Sequence, residues 1–214
     1  GIKYVNDNGF AFATNFVSKG SKTNAGIFTK EAKGKWDTQV AYTKPSYHVS
    51  LTYSDQQNGW NSYAYYATTD AATKASTADS TAYMLRAYWR PENAGTATPE
   101  ISAGYDVLDI TGNGDNVKEA DSYFVGLGWS DMFTADDKIG LAFGQPLKAT
   151  KYGASGSTDV DPFLWEAYYS YKVNDAVTVQ PAVFGGSDVR SDTEDDIFGV
   201  CLLYTSDAAD DLVG

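Results

Sequence analysis

The stretch DPFLWEAYYSYKVNDAVTVQPAVFGG, residues Asp161–Gly186, decides the fold. Successive side chains of a β-strand point to opposite faces, so its first half has one apolar, aromatic face and one mixed face. The apolar set is Phe163, Trp165, Ala167, Tyr169 and Tyr171, and the mixed set is Leu164, Glu166, Tyr168, Ser170 and Lys172. After a turn at 173–176 the alternation resumes, which predicts an antiparallel hairpin. Each arm has about ten residues with aromatic ends, as in a hairpin of a transmembrane β-barrel.

The same two-residue period recurs along the chain and predicts about ten strands. Besides this hairpin, the segments are GFAFATNFVS (9–18), KWDTQVAYTK (35–44), YHVSLTYS (47–54), TAYMLRAYWR (81–90), EISAGYDVLDI (100–110), SYFVGLGWSD (122–131), KIGLAFGQ (138–145) and a last strand from Ile197. Long polar loops are predicted at 55–80, with a short helix at 70–78, and at 111–121, 146–161 and 186–196. They alternate with shorter turns, as in bacterial outer-membrane barrels. The pattern therefore predicts an all-β, antiparallel transmembrane barrel.

Composition agrees with β structure and excludes one class of partner. The 214 residues include sixteen Tyr, ten Phe and five Trp, which favour strands, and only two Met. The formal charge of -12 argues against nucleic acid as a partner, because phosphate binding needs a basic surface. One His and one Cys provide no cluster of metal ligands, and no cofactor is predicted.

The residues after Val200 differ in character from the rest of the chain. Their sequence CLLYTSDAADD, at 201–211, resembles an in-frame translation of the transposase adapter used to prepare sequencing libraries. We therefore predict a barrel domain over 1–200, with its last strand truncated, and a non-native tail over 201–214.

Two of the segments resemble a family of membrane proteins. SYFVGLGWSDMFTADDKIGLAFGQP (122–146) and PFLWEAYYSYKVND (162–175) are similar to the C-terminal part of carbohydrate-selective porins, especially the cyanobacterial type with a surface-layer-homology domain. The resemblance covers most of 9–200. It implies that the chain is the C-terminal portion of a barrel of roughly sixteen strands. It also implies passive diffusion of sugars or inorganic ions, the outer membrane of a Gram-negative-type cell, and a homotrimer.

In such a barrel the mixed face would line a water-filled lumen. The predicted pore-lining residues are Asp37, Gln39, His48, Arg86, Tyr88, Asp106, Glu166, Tyr168 and Gln180. Hydrogen-bonding groups with few charges suit passive passage of small hydrophilic solutes. Arg86 facing Asp106 or Glu166 across the lumen would set a transverse field, with an ordinary salt bridge as the alternative. Acidic loops at 109–121 and 187–196 would attract cations to the pore mouth.

Two other classes of protein share parts of this pattern. A soluble β-sandwich that binds carbohydrate or acts as a surface adhesin would also show alternating strands. His48 and Ser50 are spaced like the His and Ser of outer-membrane phospholipases, in which the base activates the nucleophile. No third member or oxyanion hole is recognisable, so we predict that the protein is not an enzyme.

Overall fold

The computed structural model describes residues 1–19, 32–60, 78–112, 117–152, 161–189 and 196–206, which form eleven strands and no helix. In chain order the strands are β1 (Ile2–Val5), β2 (Phe10–Lys19), β3 (Lys33–Lys44), β4 (Tyr47–Gln56), β5 (Asp79–Trp89), β6 (Glu100–Thr111), β7 (Val117–Ser130), β8 (Lys138–Tyr152), β9 (Phe163–Asn174), β10 (Val177–Ser187) and β11 (Ile197–Ser206). A helical membrane span is accordingly not found in these ranges. The helix predicted at 70–78 lies, apart from Ala78, outside the described residues.

All eleven strands belong to one antiparallel sheet, in which each strand pairs with its neighbours in the sequence. The sheet is open: β1 and β11 are its edges, and no pairing within the described ranges joins them. The predicted all-β antiparallel class is confirmed, whereas the closed transmembrane barrel stays a prediction. The sequence analysis missed β1, because four residues are too few to show a two-residue period.

Two predicted loops are shorter than expected. β8 continues through Pro146 to Tyr152, where the sequence analysis ended it before the proline. The register pairs Asp121 with Lys148 and Tyr123 with Gln145, so Pro146 and Leu147 together face one residue of β7. Such a bulge accommodates proline, which has no N–H for the ladder. β7 likewise begins at Val117, within the loop predicted at 111–121.

The last strand also differs from the prediction. β11 extends six residues beyond Val200 and pairs with β10 along its whole length, from Ile197 with Gly186 to Ser206 with Val177. Its additional residues include Leu, Tyr and Thr, of which Tyr and Thr are enriched in strands. The pairing concerns the conformation of these residues, and the non-native origin of 201–214 stays a prediction.

The register assigns every paired residue to one of two faces, because residues directly opposite each other in a sheet share a face. The face that includes Leu85 is called the aromatic face, and the face that includes Arg86 is called the mixed face. The row through Leu85 is Phe12, Val40, Leu51, Leu85, Tyr105 and Tyr123. The row through Arg86 is Ala11, Ala41, Ser50, Arg86, Gly104, Phe124, Gly144, Leu164, Gly186 and Ile197.

The two faces are buried to different extents. On the aromatic face Leu51, Leu85 and Tyr105 are 47%, 46% and 45% exposed. The densest packing lies instead on the mixed face near the long loops, where Ala82, Leu108, Ala120 and Ala149 pair in one row of a buried cluster. At the same end the aromatic face becomes polar, in a row formed by Asp55, Thr81, Asp109, Glu119 and Lys151. The apolar surface of the aromatic face is therefore a band with a defined limit.

Candidate functional site

The register places all nine predicted pore-lining residues on the mixed face. One row contains His48, Tyr88 and Glu166, and the next contains Arg86. Asp106 pairs with Met84, and their row also contains Gln39. The three remaining residues are assigned to the mixed face by the two-residue period of their strands; they are Asp37, Tyr168 and Gln180. The alternation thus predicts which residues share a face, while the lumen that this face would surround stays a prediction.

Arg86 and Asp106 form a two-pronged ion pair between β5 and β6. Arg86 Nη1 and Nη2 donate to the two carboxylate oxygens of Asp106 at 2.5 and 2.8 Å. Ser122 Oγ donates to Asp106 at 3.2 Å, and the Arg86 guanidinium lies 5.6 Å from the centre of the Phe124 ring. Because the partners occupy neighbouring strands, their charges neutralise each other within one part of the sheet. This geometry is the ordinary salt bridge of the two alternatives, and Glu166 lies three strands away from Asp106.

A polar hollow of about 380 Å³ opens on the mixed face over β2 to β5. Its lining includes Asn15, Lys35, Asp37, Gln39 and Thr52. Lys35 pairs with Asp37 at 3.0 Å, and Gln39 Nε2 donates to Thr52 Oγ1 at 3.0 Å. The hollow therefore presents both donors and acceptors, while its charged groups are paired. Asp37 Oδ1 is buried without a hydrogen-bond partner among the described residues.

His48 makes structural contacts rather than those of a catalytic pair. Its Nδ1 lies 2.7 Å from Thr43 Oγ1, and its ring stacks on Tyr88 with 5.6 Å between centroids and 8° between planes. Ser50, two residues along β4, is buried. No hydrogen bond joins His48 to Ser50 or to a carboxylate within the described ranges. A nucleophile and a base in mutual contact, which acyl transfer requires, are thus not found in this part of the chain.

Three aromatic rings of the mixed face lie over glycines of the neighbouring strand. Phe124 covers Gly104, Tyr168 covers Gly140 and Phe184 covers Gly199, each so closely that a Cβ on the glycine would overlap the ring. In each case the ring and the glycine are a directly opposed pair. An aromatic ring that shields a strand glycine from solvent stabilises the sheet. Sequence reasoning missed these pairs, because the opposition of ring and glycine becomes visible only when the register is known.

Glu166 differs from the other charged residues of the predicted set. Its side chain is exposed, and neither an ion pair nor a hydrogen bond reaches it from the described residues. It is opposed by Ala142 on β8 and by Phe184 on β10. Gln180 is opposed by Leu203 on β11. The Glu166 carboxylate, near the middle of β9, is thus unpaired on the described part of the mixed face.

The acidic loops and metal sites can be followed only in part. Residues 113–116 and 190–195, within the two acidic loops, lie outside the described residues. Elsewhere, in the ranges that the structure does cover, no three His, Cys, Asp or Glu side chains are grouped as metal ligands would be.

Comparisons with known proteins provide no family for this chain. No family model, no curated protein and no solved structure matches it. The resemblance to carbohydrate-selective porins therefore has no support from these comparisons.

Proposed function

We propose that this chain forms the wall of a water-filled, porin-type channel in an outer membrane, through which small hydrophilic solutes diffuse passively. A single observation carries the proposal: one sheet presents an exposed apolar band on one side and hydrogen-bonding groups on the other. In water such an apolar surface is unfavourable, whereas lipid on one side and water on the other suit both faces.

The aromatic face has the residue distribution of a lipid-facing surface. In three strands an aromatic residue stands at each end of an aliphatic centre: Tyr47, Val49, Leu51 and Tyr53 in β4, Trp89, Ala87, Leu85 and Tyr83 in β5, and Trp129, Leu127, Val125 and Tyr123 in β7. Aromatic girdles flank the apolar band of outer-membrane barrels in this way, because Tyr and Trp suit the boundary between lipid and water.

The polar atoms of several terminal aromatic residues have hydrogen-bond partners. Near the short turns, Trp129 Nε1 donates to the Ala97 carbonyl at 2.9 Å and the Tyr169 hydroxyl donates to Asp137 at 3.1 Å. Towards the long loops, Trp36 Nε1 donates to Thr14 Oγ1 at 2.8 Å. These bonds allow an amphipathic ring to sit at an interface with its polar atom satisfied.

The mixed face suits solutes that exchange hydrogen bonds with a channel wall. Its polar hollow over β2 to β5 offers amide, hydroxyl and carboxylate groups, while Lys35 and Arg86 are each paired with an aspartate. A neutral polar solute such as a sugar would exchange water for these groups with little net change in free energy. Small inorganic ions would pass in their hydrated form, so both solute classes are included in the proposal.

The soluble β-sandwich does not account for the aromatic face equally well. A sandwich buries one face of each sheet against a second sheet about 10 Å away. The described residues form one sheet, and the aliphatic residues of its aromatic face are between one third and one half exposed in the row through Leu85. The homotrimer rests on the family resemblance alone and stays a prediction.

Planar-bilayer recording with the purified protein tests the proposal. We expect stepwise conductance in potassium chloride, together with migration on gels that changes on heating after detergent extraction. Vesicles that contain the protein should swell when sugars are added outside. A protein that is recovered in solution without detergent, and that leaves the bilayer current unchanged, would contradict the proposal and favour the sandwich.

A further inference from the structure

We propose that the mixed face carries a binding site for small organic cations at Glu166, in a second hollow over β7 to β11. This inference deepens the proposed channel function and needs only that the mixed face be open to water. The hollow has a volume of about 470 Å³, and its lining includes Phe124, Leu164, Glu166 and Phe184. It is thus large enough for a small solute.

Small residues give the hollow its floor. Ala142 and Gly144 of β8 lie between Phe124 of β7 and Glu166 of β9. The two phenylalanine rings lean away from this floor, because Phe124 covers Gly104 on β6 and Phe184 covers Gly199 on β11. The small floor residues and the positions of the two rings therefore leave open space beside the Glu166 carboxylate.

The charge of this hollow differs from that of the polar hollow. In the polar hollow the lining carboxylate, Asp37, has Lys35 as a basic neighbour, and the lining Arg86 is paired with Asp106 of β6. Beside Glu166 no Lys or Arg of the described residues forms an ion pair, and Lys172, farther along β9, is engaged by Asp136 and Asp175. The second hollow thus has an uncompensated negative charge, which attracts a cation.

The remaining lining selects among cations. Apart from Glu166 and Gln145, the side chains that line the hollow are apolar or aromatic, which leaves too few oxygen ligands for a dehydrated metal ion. A sugar would likewise lack partners for most of its hydroxyl groups. An alkylammonium group can contact apolar walls and the faces of Phe rings while its charge lies near the carboxylate. Charge and lining together therefore favour an organic cation.

Saturation-transfer NMR on the protein in detergent micelles tests the site, with choline as the probe. We expect choline to bind at least about fivefold more tightly than 3,3-dimethyl-1-butanol, its uncharged analogue of the same shape, because one ion pair at contact distance in water is worth that factor. Glu166→Gln should reduce choline affinity by the same factor and leave the analogue unchanged. Ala142→Leu, which fills the floor without changing charge, should abolish the binding of both.

Glu92→Gln is the matched control, since it removes the same charge from an exposed residue of the connection between β5 and β6. It should leave choline affinity within about twofold of the unaltered protein, because exposed charges more than a Debye length away are screened. Equal binding of choline and its analogue, equal choline affinity with Glu166→Gln, or preferential binding of glucose in this hollow would overturn the inference. The micelle experiment needs no open channel: conductance without choline binding refutes the site alone, and choline binding without conductance refutes the channel alone.

Discussion

Leu85 and Arg86 are neighbours in β5, yet they belong to surfaces with opposite requirements. The row through Leu85 consists of large apolar and aromatic side chains, and all of them except the half-buried Phe12 are exposed in the described part of the chain. The row through Arg86 consists mainly of glycines and small or apolar side chains, and its one charged group is paired with Asp106. The difference teaches that the sheet keeps charge out of the apolar band of one face, whereas the other face holds Lys35 and Arg86 in ion pairs with aspartates. A sheet that separates two solvents, lipid and water, has these requirements.

The largest expected effect comes from adding a charge to the aromatic face. Leu85→Arg should destabilise the folded protein in phospholipid vesicles by about 2–4 kcal/mol, the cost of a basic side chain near the midplane of a barrel in lipid. Met84→Arg, one residue away on the mixed face, should cost less than about 1 kcal/mol, because a mixed-face residue can remain in water. Urea titration of both variants in vesicles gives the two values. Equal costs would remove the distinction between the faces.

A smaller effect should follow from crowding the floor of the Glu166 hollow. A Cβ on Gly144 would overlap the Tyr123 carbonyl oxygen and lie 2.7 Å from Phe124 Cα, so the backbones of β7 and β8 must separate. We expect Gly144→Ala to cost about 1–3 kcal/mol, as overpacking does in well-packed structures. Gly128→Ala, also on the mixed face, would meet only Glu100 Cβ at 3.9 Å and should be neutral within about 0.5 kcal/mol. A similar loss in both variants would show that strand propensity, rather than close approach, decides the effect.

Much of this comparison could be predicted from the sequence, because a strand has a period of two whatever its neighbours are. The grouping of Arg86 with Glu166 on one face followed from alternation alone. The pairing of Arg86 with Asp106 did not, because it depends on the register between β5 and β6, which the period leaves open. The bulge at Pro146 was missed for a related reason. Proline ends a strand only where the ladder needs an N–H donor at that position, and at a bulge it does not.

The ion pair of Arg86 and Asp106 provides a third and weaker test of the mixed face. Their side chains are 38% and 26% exposed, so water screens the attraction in spite of the two-pronged geometry. A double-mutant cycle with Arg86→Gln and Asp106→Asn should give a coupling free energy of about 0.5–1 kcal/mol. The coupling should decrease when salt is raised from low concentration to about 1 M. A coupling of several kcal/mol that is insensitive to salt would place the pair in a dry interior and contradict a water-lined face.

The smallest effect depends on pH and concerns the end of the aromatic face at the short turns. Asp137 is fully buried in the turn between β7 and β8, where it accepts hydrogen bonds from the backbone N–H groups of Met132, Phe133 and Thr134 and from the Tyr169 hydroxyl. Burial alone would raise the pKa of this carboxyl, but these donors together hold the pKa below its ordinary value.

The pKa of Asp137 is lower in the folded protein than in the unfolded chain, where an aspartate has a pKa of about 3.9. The ionised Asp137 carboxylate therefore contributes fully to the stability of the protein above the unfolded-state pKa. This contribution is lost as the pH falls from there through the lowered pKa of the folded state. Asp137→Asn should therefore be less stable than the unaltered protein at pH 7, and the difference between them should narrow below about pH 4. Glu92→Gln, in the exposed connection between β5 and β6, is the control and should leave the acid limb of the stability curve unchanged. Urea titration in vesicles from pH 7 to 2.5 gives the free energy of unfolding of the unaltered protein and of Asp137→Asn. If the two curves run parallel over this range, the hydrogen bond from Tyr169 to Asp137 does not depend on an ionised carboxylate.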